Sequence, residues 1–171
     1  MSTPVVEVAV RGEGSVLSAV RAALSTVRPA APAAVVVPAV PGPGPLAELG
    51  DDRLDALVGD TLDAVLADVR ATLGQPLDRL VFVLPHAPLM GVADGVAASA
   101  VAHGVLSMAR TLAIELARDG VTVNVVAADV DAPAPGALAA QLGALLGAGG
   151  EAITGQEIYL TAGTDLGRAR P

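Results

Sequence analysis

Cysteine, tryptophan and lysine are absent from the 171 residues, and the aromatic residues come down to Phe82 and Tyr159. Without Cys there is no disulfide, no thiolate nucleophile and no Cys-based zinc site, a composition compatible with a reducing compartment. With so few aromatic rings, nucleic-acid binding by base stacking is excluded. Positive charge is also scarce. Ten basic residues, all Arg, stand against eighteen acids, for a net charge of -8. That balance opposes phosphate backbones and anionic lipid alike, so neither a nucleic-acid nor a membrane surface is expected. No basic leader followed by an apolar run opens the sequence, and no stretch of about 18 apolar residues runs free of Gly, Pro or charge. A cytoplasmic location is the expectation. What is abundant is Ala, Val and Leu, and a hydrophobic content of 53% supports one domain over residues 1–171 with a core of small aliphatic side chains. The bias toward Ala, Gly, Arg and Pro points to a bacterial genome rich in G and C.

Short apolar runs alternate with longer helical periods, the pattern of a parallel α/β sheet. Strands are expected at 4–10, 34–37, 80–84, 121–127 and 157–160. Helices are expected at 15–27, with Ser15 as N-cap, at 51–73, at about 95–118 and at 137–146. Pro38 and the Pro41-Gly42-Pro43-Gly44-Pro45 run mark a loop, since neither a helix nor a central strand tolerates them. Asp51 and Asp52 sit favourably at the positive end of the second helix. Leu54, Leu57, Val58, Leu62, Val65, Leu66 and Val69 give that helix one apolar face.

Residues 97–117, around Ala98-Ser99-Ala100-Val101-Ala102-His103, followed by Gly120-Val121-Thr122-Val123-Asn124-Val125, resemble the active-site helix and next strand of the short-chain dehydrogenases/reductases. The likeness extends to Gly44-Pro45-Leu46-Ala47-Glu48-Leu49, to Leu80-Val81-Phe82-Val83, and to the closing Ile153-Thr154-Gly155-Gln156 with its final strand. It covers the chain from about Ala33 onward. The resemblance implies a truncated, Rossmann-like three-layer α/β fold with about five parallel strands, lacking the family's first two strands and its Gly-rich turn. By that family it would resemble an NAD(P)-dependent oxidoreductase.

The family's catalytic residues are not carried over. Its Tyr and Lys fall on Ala98 and Ala102, its Ser on Pro85 and its Asn on Thr61. Neither Ala nor Pro has a side-chain proton to transfer, and Thr does not replace an amide. In Arg11-Gly12-Glu13-Gly14-Ser15 an acid stands inside the glycines and no third Gly follows, so this reads as an ordinary turn rather than a phosphate cradle. No cofactor and no metal are expected. Residual candidates are Ser99 and His103, four apart on one helix face, with Asp94 as the local carboxylate, and His86 after Pro85 at a strand end. Each also has a structural reading: Ser99 near a helix start, His103 at a helix contact, His86 as a loop residue. Asp129 and Asp131 read as solvated loop acids, and Tyr159 as a packing or interface residue.

Removing the first two strands should leave five parallel strands in sequence order. Right-handed crossovers would then place the helices mainly on one face, and the other would stay partly bare unless a copy, another protein or a rearranged first segment covered it. Short-chain dehydrogenases associate through two long helices, here 51–73 and 95–118, and through the last strand. Small residues at Gly95, Ala97, Ala98, Ala100, Gly104 and Ala109 would allow close approach. The implied function is a non-catalytic subunit that pairs with an active ketoreductase or hydroxyacyl dehydrogenase, with no turnover expected on its own. Two alternatives stand: a homodimer that binds small acyl or polyketide-like molecules, and a nicotinamide-independent enzyme using Ser99 and His103.

Overall fold

The computed structural model describes residues 7–129, 135–161 and 163. Five strands, β1 (Val8–Gly12), β2 (Ala33–Val37), β3 (Arg79–Pro85), β4 (Thr122–Ala128) and β5 (Glu157–Leu160), form one parallel sheet in the order β1-β2-β3-β4-β5. The three central strands are buried throughout, which is why they read as unbroken apolar runs rather than alternating ones. Residues 4–6 of the expected first strand lie outside the described residues.

The connecting elements are α1 (Leu17–Leu24), α2 (Asp51–Leu54), α3 (Thr61–Leu73), α4 (Ala87–Met90), α5 (Val96–Glu115) and α6 (Pro135–Leu146). Ser15 does not cap α1. The N-cap is Val16, and no side chain bonds there. The helix expected over 51–73 is interrupted by a π-helical stretch, Asp55–Asp60, between α2 and α3. A wide turn of this kind leaves part of the regular hydrogen-bond ladder unmade, and the propensities of its residues gave no sign of it.

Both faces of the sheet are covered, which corrects the expectation of a bare one. Ala34, Val36, Leu80, Phe82, Leu84, Val123, Val125 and Ala127 pack on one side against Val65 and Val69 of α3 and Val101, Ala102, Val105 and Ala109 of α5. Alternate strand residues, Ala33, Val35, Val37, Val81, Val83 and Val126, pack on the other against Val20 and Ala23 of α1 and Leu138, Leu142, Leu145 and Leu146 of α6. The reason lies in the crossovers. The strands are laid down in one direction across the sheet, so helices on opposite faces require connections of opposite hand. Two of the four crossovers are therefore of the left-handed kind, which is rare in general.

By length and composition the helical stretch Val96–Asp119 would suffice to cross a bilayer, yet half of it is buried against the sheet. It is the core helix of this fold.

Candidate functional site

In a parallel α/β sheet the strands' carboxyl ends are where ligands bind. Here those ends are Gly12, Val37, Pro85, Ala128 and Leu160. At the first, Gly12 takes φ +90°, and a Cβ on it would stand 2.2 Å from the carbonyl oxygen of Val37. A Cβ on Gly14 would stand 2.2 Å from that of Pro38. The Gly14 N–H already donates to Val37 O at 3.0 Å. Both glycines thus seat the β1–α1 turn against the end of β2, as an ordinary turn would.

Beyond the turn lies a cleft of about 590 Å³, lined by Glu13, Asp60, Thr61 and Asp68 among apolar neighbours and by no basic side chain. These residues do not fit a nicotinamide dinucleotide. Its pyrophosphate would meet Glu13 at the turn, one of the turn's N–H groups is committed to Val37, and no cation offsets the carboxylates.

The positions where the resemblance would place a catalytic Tyr, Lys and Ser carry Ala98, Ala102 and Pro85, all buried, with Ala102 0% exposed. Ala102 belongs to the apolar cluster that α5 forms with the sheet. Thr61 opens α3 directly after the π-helical stretch and lines the acidic cleft.

Ser99 and His103 are not brought together as a nucleophile and base. The Ser99 hydroxyl donates to Pro88 O at 2.8 Å, pinning α4 to α5. His103 is exposed, and its Nδ1 lies 2.9 Å from Ser99's backbone carbonyl, one helical turn back. An N–H at that nitrogen makes the bond, so the imidazole is tied to the backbone and not to the hydroxyl. Asp94, the third member of the set, holds φ +59°, and its carbonyl accepts from Gly44 N at 2.7 Å, joining the Pro-rich loop to the start of α5. In this arrangement the Ser99 and His103 side chains, named as the pair of the alternative nicotinamide-independent reading, each bond a backbone carbonyl and not each other.

His86 follows β3, where its N–H donates to Ala128 O at 2.9 Å. Its Nδ1 is buried without a hydrogen-bond partner. Among the described residues no group of His, Asp and Glu is placed to hold a metal ion. Asp129 extends β4 by donating its N–H to Leu160 O at 3.2 Å, and Asp131 lies outside the described residues. Tyr159 packs against the α3/α5 side of the core and donates its hydroxyl to Glu157, whose carboxylate also pairs with Arg110 at 2.9 Å.

Two polar clasps had no counterpart in the sequence reading. Asn124 is 1% exposed; its amide donates to Ile153 O at 2.7 Å and its carbonyl accepts from Gln156 N at 3.0 Å. This side chain holds the loop before β5 to β4. Arg79, buried at the start of β3, reaches the exposed Glu151 at 3.2 Å. The Glu151 carboxyl is held below its ordinary value, first by a hydrogen bond from its own backbone N–H, then by the Gly149 N–H and Arg79. A buried Asn between two loop segments is visible in sequence only as a polar residue inside an apolar strand.

The small residues of α5 mostly serve internal contacts. Ala97, Ala98 and Ala109 are buried within the fold, and a Cβ on Gly104 would stand 3.1 Å from the Leu62 side chain. Gly95 is needed because a Cβ there would meet Val92 at 2.4 Å. Ala100 is exposed.

In sequence the chain matches no family model and no curated protein. In structure it is similar to an acetoin dehydrogenase from Enterobacter cloacae, at a TM-score of 0.66 and 16% identity over 80% of this chain and 67% of that one. It is similar to a short chain dehydrogenase from Bacillus anthracis at 0.62 and 17%, over 80% and 66%. A blue fluorescent protein from a metagenomic library, in complex with NADPH, superposes at 0.70 and 18%, over 92% of this chain and 97% of that one. The chain spans about two thirds of the length of several of these dehydrogenases, 65% of a 4-hydroxyisoleucine dehydrogenase for example. At these identities the likeness shows the fold. It is the Rossmann-like fold of the short-chain dehydrogenases.

Proposed function

We propose that this short-chain-dehydrogenase-like chain is a non-catalytic, cytoplasmic subunit that associates with an active ketoreductase or hydroxyacyl dehydrogenase of the same fold and supports it. The observation that carries this reading is the burial of Ala98 and Ala102 on α5, where the resemblance would put a proton donor and its cationic partner. These positions are core, not an emptied cleft. The acidic cleft at the β1 turn adds to it, because a pyrophosphate would be repelled there.

Association would run through the outer faces of α3 and α5 and through β5. On those helices Leu66, Leu73 and Ile114 are exposed, Ile114 to 78%, which favours an apolar partner surface. The test is co-expression with the reductase encoded nearest to this chain, followed by size-exclusion chromatography with light scattering and an NAD(P)H oxidation assay on each fraction. A mixed oligomer with altered reductase activity, dispersed by Leu66→Glu with Ile114→Glu, is the expected result. A homodimer that leaves the reductase unchanged overturns the reading and moves it to the binding of small acyl or polyketide-like molecules.

A further inference from the structure

β1 is the one strand of the sheet's first edge, and among the described residues nothing pairs with its outer side. Unlike β2, β3 and β4 it is only half-buried along its length. An open edge presents a row of backbone donors and acceptors to any extended chain that approaches. Two further features flank this one. Register with β2 places Val8 and Val10 on the α1 side, beside Ala33 and Val35, and Ala9 and Arg11 on the α3 side, beside Ala34 and Val36. On the α1 side a groove of about 300 Å³ is walled by Val8, Val10, Leu24 and Val27, with Glu7 and Arg21 offsetting each other at its rim. On the α3 side, at the strand's carboxyl end, the cleft of about 590 Å³ carries Glu13, Asp60 and Asp68. Arg11 stands on that side too, outside the cleft's lining and in no ion pair with the three acids, and its Nε is enclosed without a hydrogen-bond partner.

We propose that the open edge of β1 is a docking site for an extended polypeptide segment of another protein, apolar on the side facing α1 and basic on the side facing α3. Strand addition supplies affinity through main-chain hydrogen bonds, and the grooves to either side read alternate side chains. The charge distribution selects the occupant. A second copy of this chain, paired antiparallel through its own β1, would bring Glu7 of one strand toward Glu13 of the other and set acid against acid. A basic segment meets opposite charge at the same place. The inference stands apart from the subunit reading, which concerns the outer faces of α3 and α5.

The probe is a capped synthetic peptide alternating Val and Arg, long enough to span β1, with a Val/Glu peptide of equal length as control. Fluorescence anisotropy and amide hydrogen exchange are measured on the full chain. The expected result is binding of the Val/Arg peptide about tenfold tighter than the control, the scale of two or three partly screened charge pairs. Protection should appear at residues 8–12. The preference should shrink with added salt on the wild-type chain and in an Asp60→Asn, Asp68→Asn variant, two routes that do not depend on each other. Equal affinities, no protection at residues 8–12, or protection of those amides by a concentration-dependent homodimer without peptide would each overturn the proposal.

Discussion

Ala102 is a methyl group with no room around it. Restoring the expected pair by Ala98→Tyr with Ala102→Lys forces a ring and an ammonium into a packed helix contact. The double variant is expected to lose about 3 kcal/mol of stability, through overpacking and an unpaired buried charge. It should oxidise no NAD(P)H. Urea denaturation and the absorbance of the reduced nicotinamide check the two halves separately, and turnover in a folded double variant would contradict the reading of these positions as core and of the cleft as unfit for a nicotinamide dinucleotide. Asn124 presents the opposite case, a polar group that is fully buried because both ends of its amide are satisfied. Asn124→Ala leaves Ile153 O and Gln156 N–H unsatisfied and is expected to cost about 2–3 kcal/mol. The Gln156 amide should exchange faster in that variant while those of β2 hold.

At the scale of elements, β2 to β5 were legible to within a residue, whereas β1 runs two residues past its expected end and does not include residue 7. Burial on both faces forces unbroken apolar runs such as Ala33–Val37, and the expected 157–160 coincides with β5. The π-helical stretch before Thr61 was not legible, because a change in backbone pitch leaves no mark in apolar periodicity. Nor was the fate of Ser99. Its spacing to His103 was read correctly as one helix face, but the hydroxyl is claimed by the Pro88 carbonyl, a contact fixed by how α4 docks on α5. The Arg79–Glu151 pair joins the first residue of β3 to the short 3-10 turn Gly150–Ala152. Because the folded state holds the Glu151 carboxyl below its ordinary value, the unfolded chain binds that proton more readily. The stabilisation is therefore present above the unfolded value and is lost as pH falls through the folded one. The melting temperature of the wild-type chain should exceed that of Glu151→Gln at neutral pH, and the two should converge in acid. A gap that persists at low pH would mean the carboxylate's charge is not involved.

For the molecule as a whole, crossovers of both hands give three layers from five strands. The bare-face expectation failed because it applied the right-handed rule to every connection, whereas α1 and α6 form a layer of their own. Neither is adequately packed without the other. Leu142, 0% exposed on α6, is expected to cost about 2–5 kcal/mol when replaced by Ala. Amide exchange in α1 should accelerate with it, more than in α3, which lies on the other face. Equal acceleration in α1 and α3 would show that the two layers open as one unit.

That pairing has a temporal side. Translation delivers α1 well before α6, with β2, β3, β4 and the helices of the opposite layer emerging between them. At typical elongation speeds the interval is roughly 5–20 s. Throughout it the apolar stripe of Val20 and Ala23 lacks its helical neighbour on the nascent chain, although the strands beneath and the opposite layer can already close. Of the two helices in this layer, the one made earlier waits for the one made later, and that window is when a chaperone would find this chain.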